Sequence, residues 1–277
     1  MTEMRHIGRE TKRILGSDIV SGKAMYTGDF HPAGMHYGKI LHSPYPFARI
    51  RSIDYSRAMA MPGVKCVVTH DDIDPDLSIN NGFTPPRHPN VLDEYVRFVG
   101  DAVALVVAET EDIAEEACKL IDVDYEVLEP VFTIDEALKP DAPQLYKVFP
   151  GNIAPHKNNL NFETGDIEQG FSEADYVVDI ETGMDNGQNP MPHEAPVIVA
   201  EWKNDTLDLI ASCAAPAYCQ QNVASSMNLR YEQVRIVAPA VGGSFGSKLY
   251  SGNVQVLLLA GLLAMKAHVP LMLRYTR

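Results

Sequence analysis

The sequence predicts an α/β fold in which strands and helices alternate. The clearest strand is residues 103–108, an uninterrupted apolar run that suits a strand buried on both faces. Thr110 follows as a candidate helix N-cap, because its hydroxyl can accept a hydrogen bond from a free N–H of the first turn. Apolar residues then recur at helical spacing, at Ile113, Ala117, Leu120 and Ile121. The pattern predicts a compact strand–helix–strand unit that ends near residue 130.

Further strands and helices are expected on both sides of a stretch rich in proline and asparagine, residues 139–163, which is typical of a linker. The other strand candidates are residues 38–42, 64–69, 122–127, 176–181, 197–202, 206–212 and 234–238. The helix candidates are residues 220–229 and the strongly apolar residues 253–266. This order predicts one domain over residues 1–135, a linker over 136–163 and a second domain over 164–277.

Composition narrows the class of protein. The 277 residues are 45% hydrophobic and 22% charged, as in a soluble globular protein. A formal net charge of −14 repels phosphate backbones, so nucleic acid is not an expected partner. The longest apolar run near the C-terminus, residues 256–265, is shorter than the roughly 18 residues of a membrane span, so no membrane partner is expected. The N-terminus has no apolar signal-peptide core, and a cytoplasmic protein is expected.

The cysteines and histidines do not show the spacing of a metal site. Cys66, Cys118, Cys213 and Cys219 form no C-x-x-C pair, so we expect four reduced and mostly buried thiols. An iron–sulfur cluster or a structural zinc needs several closely spaced thiolates. The nine histidines form no H-E-x-x-H motif, and a metal held by protein ligands is not expected.

The sharpest motif is the glycine-rich run from Gly242 to Lys248, between the last strand candidate and the apolar helix. Closely spaced glycines let a backbone present its N–H groups to an anion, although a flexible connector is an equally open interpretation.

A Walker A loop is excluded because it requires Gly-Lys followed by Ser or Thr. The run also matches G-x-S-x-G with Ser244 as a nucleophile. No Asp or Glu follows it, and His268 is the sole later histidine, so a hydrolase triad cannot be completed.

A second motif is the proline-rich loop of residues 187–196, whose three prolines restrict its backbone. Gln188 can donate and accept hydrogen bonds, and the adjacent His193 and Glu194 have the chemistry of catalytic groups. The residues alone favour a packed turn whose polar groups cap neighbouring strands. Structural roles are also expected for Tyr26, Asp29, Arg49 and Arg51.

At these two loops the sequence resembles the molybdenum-cofactor subunit of the xanthine dehydrogenase/aldehyde oxidoreductase family. Residues 19–29 are similar to the family pattern K-V-T-G-x-A-x-Y-x-x-D, and residues 38–50 to G-K-I-L-R-S-P-x-P-H-A-R-I. Residues 96–104 resemble V-R-Y-V-G-D-P-V-A. The resemblance implies an α/β hammerhead domain over residues 1–135, and the first portion of a molybdopterin-binding α+β domain over residues 164–277.

The resemblance also implies the site. The glycine-rich run is similar to the family's G-G-G-F-G-G-K, which implies that the cofactor is lined by Gly242, Gly243, Ser244, Phe245 and Gly246. Gln188 and the Phe245 amide are then the catalytic candidates, each facing an oxygen ligand of the metal. Glu194 matches an acid with a structural role.

One residue of the motif departs from the family members that oxidise purines. Those members have Glu where Leu249 stands, so purine is not an expected substrate. The stretch around Leu249 resembles the G-T-F-G-Y-K-F of bacterial aldehyde oxidoreductases more closely.

The implied function is that of a molybdenum hydroxylase, an oxidoreductase that hydroxylates an aldehyde or N-heteroaromatic compound with water-derived oxygen. Its cofactor is Mo-molybdopterin, with the cytosine dinucleotide form as one option, and electrons pass to an iron–sulfur subunit and an FAD subunit. No iron–sulfur cluster or flavin is expected in this chain. A second polypeptide carrying the missing C-terminal half is expected to cover the apolar residues 252–277, and the chain alone is expected to be inactive. The alternative is a noncatalytic truncated relative that acts as an assembly or scaffold subunit.

Overall fold

The computed structural model describes residues 8, 10–74, 91–153, 164–183, 190–249 and 251–276. The strands in these ranges are β1 (His36–His42), β2 (Ala48–Asp54), β3 (Val64–Val68), β4 (Tyr95–Val96), β5 (Ala102–Ala108), β6 (Asp122–Val127), β7 (Val197–Lys203), β8 (Thr206–Ala211), β9 (Val234–Val237) and β10 (Leu271–Arg274). The helices are α1 (Gly16–Val20), α2 (Ser56–Met59), α3 (Glu111–Lys119), α4 (Ile134–Ala137), α5 (Ile167–Glu173), α6 (Pro216–Ser226) and α7 (Ser251–Ala267).

The strands form two sheets. A seven-stranded sheet has the order β3-β5-β1-β10-β7-β8-β9, and a three-stranded sheet has the order β4-β2-β6. The pairs β1–β10 and β8–β9 are parallel, and the other pairs are antiparallel. Strands from both halves of the chain therefore share one sheet, and the predicted α/β class is confirmed. The domain limits at residues 135 and 163 stay predictions.

Strand β5 is buried on both faces, as its apolar run predicts. Leu105 and Val107 point into the main core beneath α7, whereas Ala104, Val106 and Ala108 belong to a second core under α3. This division follows from the two-residue period of a strand. At the start of α3 the Thr110 hydroxyl accepts a hydrogen bond from Ile113 N at 3.2 Å, so the predicted N-cap is confirmed.

The apolar C-terminal region is covered by the chain's own sheet. Leu257, Leu258 and Leu263 of α7 are fully buried in the main core together with the inward-facing residues of β5, β7 and β8. The following segment is not a free tail, because it enters the sheet as β10 between β1 and β7. The prediction that another polypeptide covers residues 252–277 is therefore wrong for this surface. Long-range strand pairing, which periodicity does not reveal, buries it instead.

The strand predicted over residues 176–181 is also wrong. The structure has no strand there, and the apolar side chains are open to solvent, with Tyr176 92%, Val178 76% and Ile180 72% exposed. A strand needs a neighbour for its N–H and C=O groups, and no described strand lies beside this segment. The predicted helix over residues 220–229 exists but begins earlier, at Pro216, since proline is well suited to a first helical position.

Gly38 in β1 allows α7 to approach the sheet closely. A Cβ atom at this position would lie 2.9 Å from Leu263 Cδ1 and 3.3 Å from Leu273 Cδ1. Both leucines are fully buried and have little room to move. The glycine is therefore required by packing between helix and strand.

We expect Gly38→Ala to destabilise the protein by roughly 1–3 kcal/mol, because it overpacks a filled core. The matched control is Gly170→Ala in the exposed helix α5, where an added Cβ has no atom within 4 Å. There the substitution should be neutral or stabilising by up to about 1 kcal/mol, since alanine favours helix. Urea unfolding of both variants measures the difference, and equal midpoints would contradict the packing argument.

Candidate functional site

The glycine-rich motif forms a loop, residues 241–249, that connects β9 to the segment before α7. Its backbone enters the left-handed region at Gly243 (φ +97°), Phe245 (φ +49°) and Gly246 (φ +95°). Glycine adopts this region freely, whereas a phenylalanine there is strained by on the order of 1–3 kcal/mol. The Phe245 ring is 71% exposed. The loop therefore holds an unusual backbone path with its largest side chain directed into open space.

The two loops that the sequence singles out meet at Glu194. A Cβ on Gly242 would lie 2.5 Å from Glu194 Cβ, so only glycine fits at this contact. The two backbones are joined by a hydrogen bond from Glu194 N to Gly242 O at 3.1 Å. At the next residue, a Cβ on Gly243 would lie 3.3 Å from Pro192 Cβ. The proline-rich loop thus forms the packed support on which the glycine-rich loop rests.

Beneath this contact lies a buried ionic cluster made of Lys248, Glu194 and Ser212. The Lys248 side chain is fully buried, and its Nζ lies 3.1 Å from Glu194 Oε2 and 2.6 Å from Ser212 Oγ. Ser212 Oγ donates to Glu194 Oε2 at 2.5 Å, and Gly242 N donates to the same oxygen at 2.8 Å. A buried charge is tolerated only when it is paired and hydrogen-bonded, so these contacts fix the two loops together.

The carbonyl of Lys248 adds a further anchor. It accepts a hydrogen bond from Ala214 N at 3.0 Å, which joins the loop to the segment after β8. At its other end the loop follows Ala240, whose N–H donates to Met25 O at 3.1 Å, and Tyr26 forms a parallel bridge with Ala240. Tyr26 N in turn donates to Asp29 Oδ2 at 2.9 Å. The N-terminal segment therefore positions the entrance of the loop, in agreement with structural roles for Tyr26 and Asp29.

The tip of the loop leaves a row of backbone donors free. Within the described ranges, no residue accepts a hydrogen bond from the N–H groups of residues 243–246. The following N–H groups are used internally, because Ser247 N donates to Ser244 O at 2.9 Å and Lys248 N to Ser244 Oγ at 3.3 Å. Consecutive free N–H groups in a backbone with left-handed residues form a concave anion-binding surface. The loop can therefore accept an oxygen-rich or negatively charged ligand.

The cluster also contains one buried acceptor without a donor. Glu194 Oε1 is inaccessible to water and has no hydrogen-bond partner in the described part of the chain. Its partner oxygen Oε2 already receives three hydrogen bonds. The carboxylate can therefore accept a further hydrogen bond, through Oε1, at the junction of the two loops.

The hydrolase alternative is not supported by the geometry. Ser244 Oγ is engaged with the N–H of Lys248. His268 follows the far end of α7, which has 17 residues and is therefore about 25 Å long. The two residues that a triad would need are separated by the whole helix.

The structure places most, but not all, of the predicted site residues. Gly242, Gly243, Ser244, Phe245 and Gly246 lie together in the loop, whereas Gln188 lies outside the described residues. His193 is exposed, and Glu194 points inward to the ionic cluster. Sequence reasoning missed Ser212 and the burial of Lys248, because a polar residue at the end of a strand gives no signal of its own.

The described residues include no group of three His, Cys, Asp or Glu side chains arranged to hold a metal ion. None of the helices in those ranges has both the length and the apolar character to cross a membrane.

Two families of known domains match this chain. Residues 21–129 match the a/b hammerhead domain of aldehyde oxidase and xanthine dehydrogenase. Residues 150–277 match the molybdopterin cofactor-binding domain. The chain belongs to the xanthine dehydrogenase/aldehyde oxidoreductase family, within its molybdenum-binding subunit.

Individual relatives agree with this assignment. The probable hypoxanthine oxidase XdhD of Escherichia coli (strain K12) is 32% identical over 315 residues, covering 99% of this chain and 32% of that protein. The nicotinate dehydrogenase large molybdopterin subunit of Eubacterium barkeri is 32% identical, covering 88% and 56%. The crystal structure of quinoline 2-oxidoreductase from Pseudomonas putida 86 matches with a TM-score of 0.77 and 29% identity, covering 97% and 34%. The chain thus spans about a third of the length of the first relative.

We expect Lys248→Met to destabilise the protein by about 3–5 kcal/mol, because Glu194 would keep a buried charge without its partner. The matched control is Lys266→Met, whose ammonium is half exposed and lies 2.8 Å from Asp72. Loss of that surface pair should cost less than about 1 kcal/mol. Chemical denaturation of both variants measures the contrast. A Lys248→Met protein as stable as the control would show that the cluster does not hold the loops.

Proposed function

We propose that this chain forms part of a molybdenum hydroxylase, and that the loop of residues 241–249 holds the oxygen-rich end of a molybdenum–pterin cofactor. The observation that carries the proposal is the row of free N–H groups at residues 243–246. These donors lie on a loop fixed from below by the buried Lys248. A fixed array of donors stabilises negative charge without reorganising when the charge appears.

The residues present fit this group. Gly243 has a left-handed backbone, and a side chain there would meet Pro192 and the Phe245 ring. The loop therefore presents bare backbone where a ligand must approach closely. The cofactor, when bound, supplies the two-electron oxidation chemistry, while the protein supplies orientation and electrostatics.

Separate roles are proposed for Phe245 and Gln188. The Phe245 N–H would donate to an oxygen ligand of the metal, and the exposed ring would contact substrate. Gln188, which lies outside the described residues, would donate a second hydrogen bond to such an oxygen. Both roles rest on the resemblance of the motifs.

The proposed substrates are N-heteroaromatic compounds or aldehydes, hydroxylated with oxygen from water. Support comes from the names of two relatives, which refer to nicotinate and quinoline, both N-heteroaromatic compounds. Leu249 stands where purine-oxidising members have an acid, which supports a ring or aldehyde other than purine. The cofactor is proposed to be Mo-molybdopterin, in its simple or cytosine dinucleotide form. Electrons would leave to an iron–sulfur subunit and an FAD subunit.

A second polypeptide is proposed as a partner of this chain. The chain exposes apolar side chains at Ile167 and Phe171 on α5 and at Tyr176, Val178 and Ile180 in the extended segment that follows. Solvent-exposed apolar surface of this kind marks an interaction site. This surface, rather than α7, is where the partner would bind.

The alternative is a noncatalytic assembly or scaffold subunit. The two functions predict different molybdenum contents for the purified protein. Molybdenum analysis of the chain purified alone, and of the chain with any co-purified partner, discriminates between them. A scaffold would carry no molybdenum in either sample, whereas the hydroxylase would carry it in the complex.

Gly243→Val should reduce the molybdenum content of the co-purified complex at least tenfold. A β-branched side chain is incompatible with φ near +97° and would collide with Pro192 and the Phe245 ring, so the loop could not keep the backbone path that presents its N–H groups. The matched control is Gly151→Val, which also has a positive φ (+66°) but lies outside the loop. Elemental analysis gives the molybdenum content, and circular dichroism shows whether each variant is folded. Full molybdenum content in folded Gly243→Val would contradict the proposed site.

Val178→Asp combined with Ile180→Asp should abolish co-purification of the partner, because charged residues would have to be buried in an apolar interface. Val20→Asp is the matched control, since Val20 is also exposed (87%) but belongs to a different element, α1. The lone double variant should also self-associate less in light scattering. Unchanged partner recovery would show that the partner binds elsewhere.

A further inference from the structure

A pair of buried thiols lies next to the segment that supports the glycine-rich loop of residues 241–249. Cys213 follows β8, and Cys219 lies in the first turns of α6. Their sulfur atoms are 3.4 Å apart, and the two residues are 2% and 0% exposed. The other two cysteines, Cys66 and Cys118, form no such pair. The sequence, which lacks a C-x-x-C motif, predicts only isolated thiols here.

The surroundings of the pair differ from those of an inert buried thiol. Cys219 receives a hydrogen bond from Asn253 Nδ2 of α7 at 3.4 Å. The side-chain contact with Cys219 lowers the pKa of Cys213 to about 7, and the N–H of Ala215 acts in the same direction. The same contact, together with burial, raises the pKa of Cys219. By contrast, burial raises the pKa of Cys66 to about 11 and that of Cys118 to about 11. The 3.4 Å contact between sulfur atoms distinguishes this pair from Cys66 and Cys118, and the lowered pKa of Cys213 favours its thiolate, the reactive form of cysteine.

We propose that Cys213 and Cys219 are a reversible dithiol–disulfide pair that is oxidised by a hydroperoxide. The Cys213 thiolate attacks one peroxide oxygen, the O–O bond breaks, and Cys213 becomes a sulfenic acid while hydroxide leaves. The Cys219 sulfur then attacks the Cys213 sulfur, the S–O bond breaks, and water leaves. Overall, two thiols and one hydrogen peroxide give one disulfide and two waters. A small uncharged oxidant suits sulfur atoms that are almost completely buried.

The pair is connected to the cofactor loop by its immediate neighbours. Ser212 Oγ contacts Lys248 Nζ, and Ala214 N donates to Lys248 O, so the residues on either side of Cys213 both hold Lys248. A disulfide requires a sulfur–sulfur distance of about 2.05 Å, well below the present 3.4 Å. The two sulfur atoms must approach each other by more than 1 Å, and we expect part of this movement to be passed to the segment that carries Ser212 and Ala214. The disulfide would change how rigidly residues 242–249 are held. This effect does not depend on whether the loop binds a molybdenum cofactor.

The test uses the full chain, reduced and then freed of reductant. Hydrogen peroxide is added, remaining thiols are blocked with N-ethylmaleimide in denaturant, and peptides are mapped by mass spectrometry. We expect a single linkage between Cys213 and Cys219 that dithiothreitol reverses, formed at least about tenfold faster than Cys66 or Cys118 is lost. Faster oxidation of Cys66, which is the more exposed thiol, would overturn the proposal. Full alkylation of Cys213 and Cys219 after peroxide would overturn it as well.

Two variants make the result independent of folding effects. Cys219→Ser should stop the reaction at the Cys213 sulfenic acid, which dimedone labels, whereas Cys66→Ser should form the linkage as the wild-type chain does. If Cys219→Ser does not fold, dimedone is instead added to the wild-type chain during oxidation, and it should label Cys213 before Cys66 or Cys118. Hydrogen exchange of the oxidised and reduced wild-type chain tests the connection. Exchange should change in residues 242–249 and stay constant in β5. No change in the loop would overturn the connection, and it would do so without any measurement of molybdenum.

Discussion

The Lys248 ammonium is completely enclosed by protein, and the arrangement of both loops depends on how its charge is compensated. Glu194 supplies the counter-charge from the proline-rich loop, and Ser212 completes the cluster from the end of β8. Because an unpaired buried charge would cost several kcal/mol, neither loop can move away from the other cheaply. The cluster converts three segments that are distant in sequence into one rigid support.

That support explains how a strained backbone can persist at the tip of the loop. Phe245 has a positive φ, and four consecutive N–H groups there lack acceptors in the described ranges. Such features are stable only when the surroundings hold them in place, and they are typical of ligand sites. The chain as a whole carries a net charge of −14, so any attraction for an anion at this loop must be local. Oriented N–H groups can provide such local attraction without a net positive charge.

The seven-stranded sheet sets the position of the cluster formed by Lys248, Glu194 and Ser212. Strand β10 enters between β1 from the beginning of the chain and β7 from its second half, and α7 packs across their shared face. Gly38 permits this packing, because any side chain would collide with Leu263. The hammerhead region and the beginning of the molybdopterin-binding region are therefore not independent units in this chain. The glycine-rich loop emerges from their common core.

The sequence by itself determined the local elements and the two loops. The apolar run of β5, the Thr110 cap and the long helix α7 are encoded by neighbouring residues, and periodicity and hydrogen-bonding capacity identify them. Tertiary structure alone decided which apolar surfaces are covered. It buried α7 beneath β10 and left residues 176–180 exposed, because strand pairing joins residues that are far apart in sequence. It also decided that Lys248, Glu194 and Ser212 form one cluster and that Cys213 and Cys219 face each other. Those contacts depend on distances across the fold, on which residue spacing carries no information.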